Sequence, residues 1–225
     1  MKSRSSLVQT RAGPLLAALL LMLPGLGGCQ VFAAVTAKMF PNEQVPAAYT
    51  LPEKQVALVF PDDLQNPVSY PPLKRTLAER LSKQLVEKKL IASAVPYDKL
   101  LDLQNAEPEF NRLHVPTVGR RVGAQLVIYV SIEDFRLKDT SADTLWRGRL
   151  SARVKVVDVA KGRLWPDESA GRLVSVQQPV KENLSEAFGS ELAKSLAEQL
   201  ADEIINLFHE HEVPRMALPK SELDE

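Results

Sequence analysis

Cysteine is almost absent from this chain, which has one, Cys29, in 225 residues. Without a second cysteine no intramolecular disulfide can form, so stability must come from a hydrophobic core, for which the length is ample. Long apolar runs are also absent. The longest, residues 15–23, falls well short of the roughly 20 residues that a membrane-spanning helix needs.

The chain also has no net charge, because 28 basic residues balance 28 acidic ones. Residues 1–28 hold three basic residues and no acidic one, so the remainder has three more acidic than basic residues. A weakly acidic chain does not have the electrostatic footprint of a nucleic-acid-binding protein. We therefore expect no nucleic-acid partner.

The one cysteine ends the stretch Leu26-Gly27-Gly28-Cys29, which directly follows the apolar run. With the basic residues before that run, residues 1–28 have the parts of a secretory signal. The stretch resembles a bacterial lipobox, which implies cleavage before Cys29 and lipid attachment to it. Two or more acyl chains, palmitate among them, anchor a protein stably to a membrane. The alternative is an ordinary cleaved signal with a chance cysteine.

The residue after the cysteine, Gln30, is not the aspartate that retains some lipoproteins at the inner membrane. This favours the outer membrane, facing the periplasm. Residues 29–53 then form a lipid-anchored tether, interrupted by Pro41, Pro46 and Pro52. Residues 54–208 form the folded domain, and residues 209–225 a flexible tail.

Hydrophobic periodicity predicts the elements of the domain. The pattern predicts strands at 55–60, 92–95, 126–132, 145–159, 163–165 and 172–177, with residues 133–137 bending toward the surface. It predicts helices at 73–90, 97–103, 115–123 and 182–208. The predicted fold class is α/β: a two-layer sandwich with a mixed sheet of about four to five strands, helices mainly on one face and a long C-terminal helix.

Residues 145–159 alternate between apolar and polar side chains, which indicates a half-buried strand. Its polar side carries the candidate partner-binding residues Arg147, Arg149, Arg153 and Lys155. As function, this row would bind an acidic partner, a polysaccharide or lipid headgroups. As structure, it would pair with Glu133 or form a solvated sheet face. Alternation places Asp134 on the opposite side of its strand from Glu133.

The end of that strand carries a motif, Val154-Lys155-Val156-Val157-Asp158-Val159-Ala160-Lys161-Gly162-Arg163-Leu164-Trp165. It resembles a pattern in a group of bacterial envelope proteins. The group includes the TolB amino-terminal domain, the curli secretion lipoprotein and the lipoprotein activators of penicillin-binding proteins. The resemblance implies an envelope compartment and a mostly non-enzymatic role. From the residues themselves, Asp158 and Gly162 shape a hairpin and Trp165 packs at its end.

No catalytic or metal-binding set is recognisable elsewhere. Asp62 and Asp63 follow a buried strand, where open α/β sheets often bind ligands, but aspartates also serve turns. His209 and His211 lie two apart and so point to different sides of a helix, with no third ligand nearby. We expect no catalytic residues, no metal and no cofactor.

The function predicted from the sequence is a lipid-anchored, non-catalytic envelope protein that binds or scaffolds another envelope component. One alternative is a subunit of an oligomeric secretion or export assembly, hence a homo-oligomer. A less favoured alternative is a hydrolase of cell-wall or surface polymers that uses Asp62 or Asp63.

The lipobox is tested by Cys29→Ser, which removes the sulfur that would carry the lipid. We expect an unprocessed precursor with altered electrophoretic mobility, and less protein extracted by detergent from membranes. If the variant fractionates with membranes and migrates as the wild-type chain does, Cys29 is not lipidated.

Overall fold

The computed structural model describes residues 43–138, 145–179, 181–182 and 186–213. Cys29, the signal segment, most of the tether and residues 214–225 of the predicted tail lie outside these residues. The elements in chain order are β1 (Glu43–Val45), β2 (Val56–Asp62), α1 (Pro72–Glu87), β3 (Ser93–Ala94), α2 (Tyr97–Ala106), a 3₁₀ turn (Phe110–Arg112), α3 (Val115–Arg121), β4 (Leu126–Lys138), β5 (Leu145–Asp158), β6 (Gly162–Trp165), β7 (Arg172–Gln177), β8 (Lys181–Glu182), α4 (Glu186–Asn206) and β9 (His211–Val213).

Two compact units divide these elements. The larger is Pro46–His211 and contains the main sheet, so the last residues of the predicted tether belong to it. In the smaller unit β1 pairs with β9, and Gln44 Nε2 donates to Glu212 Oε1 at 2.9 Å. None of the helices in the described part of the chain has both the length and the apolarity needed to cross a bilayer.

The main sheet has seven strands, ordered β3-β2-β4-β5-β6, with β7 and β8 also paired to β5. β2 runs parallel to β3 and β4, whereas β5 is antiparallel to β4, β6, β7 and β8. At 14 residues, β5 is long enough to hold β4 along one side and three short strands in succession along the other.

One side of β5 forms the centre of the core. Its inward residues Leu150, Ala152, Val154 and Val156 are fully buried. Gly148 continues this side, and a Cβ there would lie 2.8 Å from Leu196 Cδ1 in α4. Helix α4 therefore packs directly on β5, with α1 beside it. Burial of leucines four apart in α1, such as Leu77 and Leu81, matches its predicted apolar stripe.

Helix α3 lies on the opposite face of the sheet. A Cβ on Gly119 would be 2.6 Å from Val127 Cγ2 and 2.8 Å from Val159 Cγ2, so only glycine permits this approach. Val127 alternates with Ile128, which shares the α4 side with its cross-strand partner Val156. The two long helices thus cover one face, and the short α3 covers part of the other.

The hairpin motif behaves as predicted. Asp158 Oδ1 accepts the N–H groups of Ala160 and Lys161 at 2.8 and 2.9 Å, and Gly162 has φ +89°. These N–H groups, that of Lys161 foremost, hold the pKa of the buried Asp158 below its usual value. Trp165 stacks on Tyr49 with ring centroids 5.7 Å apart and meets Phe208 edge-on at 6.0 Å.

The structure confirms the predicted fold class, with one detail corrected. Glu182 belongs to β8 and not to the closing helix, because backbone pairing with Leu145 holds it in the sheet. Residues 133–137, predicted to bend toward the surface, continue β4 to Lys138; they are half-buried or exposed, and the pairing with β5 shifts register there.

The closing helix can be tested at Leu200, which is fully buried. We expect Leu200→Ala to lower the free energy of unfolding by about 2–5 kcal/mol, because truncation removes apolar contacts and leaves a cavity. Leu64, 50% exposed, is the matched control, and Leu64→Ala should change stability by less than about 0.5 kcal/mol. Equal urea-unfolding curves for the two variants would contradict this packing.

Candidate functional site

The side of the sheet turned away from α4 is polar along β4 and β5. The cross-strand pairs Tyr129–Lys155 and Ser131–Arg153 lie there, and Leu173 of β7 lies beside Arg153. We call this surface the polar sheet face. Its members are Tyr129, Ser131, Glu133, Asp134, Arg136, Arg149, Ser151, Arg153, Lys155 and Leu173. The structure thus brings three of the four predicted basic residues to one side of the sheet, whereas Arg147 lies at a second register shift between β4 and β5, where alternation does not assign its side.

A bulge in β4 changes the charge of this face. The register shifts between Ile132 and Asp134, so that Asp134 pairs with Ser151. Residues directly opposite each other share a side, so Asp134 lies on the polar sheet face. The expectation that it points the other way is wrong, because strict alternation fails at a bulge. Arg136 follows on the same side, and its Nε is 2.9 Å from Asp134 Oδ1.

Arg153 is held by contacts within the domain. Its Nε lies 3.7 Å from Glu133 Oε1, and its Nη1 donates to the carbonyl of Gly171 at 3.3 Å. The predicted pairing with Glu133 is therefore present. Arg153 is half-buried, so the pair also fixes the position of its guanidinium beside β7.

Arg149 and Lys155 differ from Arg153. Neither has an ion pair or hydrogen bond within the described residues, although Arg149 is exposed and Lys155 half-buried. The Lys155 stem packs along Gly171, where a Cβ would lie 3.0 Å from Lys155 Cγ and Cε. Arg147 is half-buried and has contacts of its own. Two cations on this face, Arg149 and Lys155, therefore have no ion pair in the described part of the domain.

An open cleft of about 320 Å³ lies on the polar sheet face. Its lining residues are Gln65, Tyr129, Ser131, Glu133, Arg153, Lys155 and Ala170. The Tyr129 hydroxyl donates to the Asp62 carboxylate beneath the cleft. Burial, and then this carboxylate, raise the pKa of Tyr129 well above its usual value, so the hydroxyl stays protonated at neutral pH. The cleft offers cationic donors, a carboxylate and hydroxyl groups to a polar ligand.

The paired aspartates serve the loop after β2. Asp62 Oδ1 accepts the N–H of Leu64 at 3.1 Å in addition to the Tyr129 contact. Asp63 Oδ2 accepts the N–H of Val68 at 3.1 Å, and its Oδ1 lies 2.6 Å from Lys74 Nζ. Burial alone would raise the pKa of Asp63, but the bonds from Lys74 and Val68 together lower it. Both carboxylates therefore make the contacts expected of aspartates that stabilise a turn.

The two C-terminal histidines contact each other and the backbone. The rings of His209 and His211 meet edge-on at 5.9 Å, and their Nδ1 atoms lie against backbone carbonyls. Within the described ranges, no group of three or more His, Cys, Asp or Glu side chains could hold a metal ion.

Sequence reasoning missed Tyr129 and Ser131 as site residues. Both interrupt an otherwise apolar strand at alternate positions, 129 and 131 of Leu126–Lys138. That pattern was available as a signal, because polar residues two apart in a buried strand share one side. Gln65 and Ala170 come from loops, and no local pattern places them at the cleft.

Comparisons with known proteins give similarity at low sequence identity. No family model and no curated protein matches the chain. Among solved structures, a PelC dodecamer from Paraburkholderia phytofirmans matches with 14% identity over 72% of this chain and 95% of that one, at a TM-score of 0.34. Lipoprotein GNA1162 from Neisseria meningitidis matches with 15% identity over 67% and 99%, at 0.41. An uncharacterized lipoprotein B from Nitrosomonas europaea matches with 8% identity over 69% and 82%, at 0.35.

Bacterial lipoproteins are thus among the solved structures similar to this chain. The group that the hairpin motif resembles is not among the three described here, so that resemblance stays a prediction.

The structural role of Asp63 can be tested by acid unfolding. Because its folded pKa is lowered, its contribution is present above the unfolded pKa of about 4 and is lost as the pH falls through the folded pKa. We expect Asp63→Asn to lower stability at pH 7 by about 1–2 kcal/mol and to flatten the pH dependence below about pH 4. The control is Asp102→Asn, at an exposed position of α2. Identical acid-unfolding profiles for Asp63→Asn and wild type would contradict the role.

Proposed function

We propose that this chain is a lipid-anchored protein of the bacterial cell envelope, and that its polar sheet face binds an acidic envelope component without catalysing a reaction. The lipobox at residues 26–29 supports the anchor, and Gln30 supports the outer membrane, facing the periplasm. The unpaired cations Arg149 and Lys155 carry the binding proposal.

The charge balance explains why an acidic partner fits. Glu133 and Asp134 form ion pairs with Arg153 and Arg136, whereas Arg149 and Lys155 have no ion pair within the described residues. Lys155 packs its stem along Gly171 and lines the cleft, so its ammonium group is positioned to meet an anion there. The cleft next to it supplies hydroxyl groups and Gln65 as further polar contacts.

The hydrolase alternative is less well supported by the contacts. Asp62 and Asp63 accept hydrogen bonds from Leu64, Val68, Tyr129 and Lys74, and these contacts use the oxygens that a general base or nucleophile would need free.

The binding surface can be tested by photo-crosslinking in cells. A photoreactive amino acid at Gln65, which is exposed at the rim of the cleft, should form an adduct with the bound component. The same group at Gln104, an exposed glutamine of α2, is the matched control and should not form that adduct. The same adducts at both positions would contradict binding at the cleft.

The role of charge is tested by combining Arg149→Glu with Lys155→Gln. Exposed charges contribute about 0–1 kcal/mol each, so the melting temperature should change little while the Gln65 adduct is lost. The control combines Lys88→Glu with Lys99→Gln, both at exposed positions, and gives the same change in charge. The proposal fails if the folded double variant retains the adduct, or if the control loses it equally.

A further inference from the structure

One edge of the main sheet is a regular strand that has no neighbour on its outer side among the described residues. Within the part of the chain that the structure describes, β7 pairs with β5 alone. It has six residues in unbroken register, and its sequence, RLVSVQ, contains neither proline nor lysine. Natural proteins commonly protect such edges with charges, proline, bulges or short strands. The opposite edge strand, β3, is only two residues long.

The outward backbone groups of β7 can be assigned from one hydrogen bond. Gln178 N–H donates to the Gly148 carbonyl at 2.9 Å. Opposed residues of an antiparallel pair alternate between bonded and non-bonded pairs, so Val176, Val174 and Arg172 bond to β5. The N–H and C=O groups of the three residues between them point away from the sheet: Leu173, Ser175 and Gln177.

We propose that β7 pairs antiparallel with β7 of a second copy of this chain, about a two-fold axis at Ser175. Under this axis Ser175 faces Ser175, and Leu173 faces Gln177. Each outward residue then meets an outward residue, so every pair can exchange both backbone hydrogen bonds. An axis displaced by half a residue would place outward groups opposite inward ones.

The side chains favour a second copy as the occupant. Leu173 is 53% exposed, and an added strand would cover it. On the α4 side of β7, Gln199, Asp202 and Glu203 line a cleft of about 400 Å³ with the strand. Under this axis the exposed Arg172 of each copy lies opposite Gln178 of the other, whose Nε2 donates to Ser195 Oγ of α4 at 3.0 Å. The exposed Glu191 lies one turn before Ser195 on the same side of that helix, so opposite charges face each other twice across the axis.

This inference is independent of the proposed function, because β7 uses backbone groups at the sheet edge and not the cations of the polar sheet face. Pairing would join the two sheets edge to edge and place two polar sheet faces side by side.

A cysteine at the axis tests the register in the full chain. Paired residues of this kind have Cα atoms about 5.5 Å apart, within the range of a disulfide. Mild oxidation of Ser175→Cys should therefore give a covalent dimer on a non-reducing gel. A mixture of Leu173→Cys and Gln177→Cys should also crosslink, and more efficiently than either alone. Wild type, with Cys29 alone, sets the background.

The matched control is Ser93→Cys, an exposed serine on the opposite edge strand. Crosslinking of Ser93→Cys as readily as Ser175→Cys would show random collision and overturn the proposal. Preferential crosslinking in a mixture of Ser93→Cys and Ser175→Cys would show head-to-tail stacking of copies, which also overturns it.

Proline at the same position tests the backbone bonds. Ser175→Pro removes an N–H that β5 does not use, and edge strands tolerate proline at such positions. We expect the melting temperature to change little and self-association, by sedimentation equilibrium in detergent, to weaken at least tenfold. Ser175→Ala should associate as wild type does. Equal association of the proline and alanine variants would contradict the pairing, and if the proline variant fails to fold the cysteine experiment decides.

Discussion

Strand β5 buries Leu150, Ala152, Val154 and Val156 against the long helices, while its alternate residues face away from them. A slip of one residue against β4 would turn Arg149, Arg153 and Lys155 into the core. Burying an unpaired charge costs several kcal/mol, so the domain tolerates only one register. The turn at Asp158 and Gly162 joins β5 to β6 and fixes the register of that second pair. The positions of β4, β6 and β7 then follow from β5.

The bulge in β4 decides which charged side chains lie on the polar sheet face. With strict alternation, Glu133 would be the carboxylate that β4 contributes to this face, opposite Arg149, Arg153 and Lys155 of β5. The shift at Ile132 places Glu133 and Asp134 on the same side, next to Arg153 and Arg136. The face therefore carries both paired and unpaired cations, and Arg149 and Lys155 are the ones without an ion pair among the described residues. A ligand that binds these two cations rather than their neighbours would therefore owe its selectivity to the bulge, which decides which cations are paired.

Local sequence patterns predicted much of this fold, because β5, α1 and α4 are long enough to show the regular spacing of their apolar residues. The polar side of β5 and the hairpin turn at Asp158 could be predicted for the same reason. The bulge could not, because it exists only in the pairing of β4 with β5. Glu182 was misassigned since a two-residue strand held by backbone bonds leaves no side-chain pattern. The cleft needs Gln65 and Ala170, which only the tertiary structure brings to the same place.

The corner formed by Tyr49, Trp165 and Phe208 has a mechanical consequence. Tyr49 N–H donates to the Leu207 carbonyl at 3.0 Å, and Leu51 is 3% exposed, so the segment before β2 is attached beside the end of the closing helix. In a chain tethered through Cys29, tension would reach this attachment before it reached the sheet. Its few contacts would yield one after another, as in peeling, whereas β2 is held between two strands along its length. Under load, the segment before β2 would detach and extend the tether, while the main sheet stayed intact.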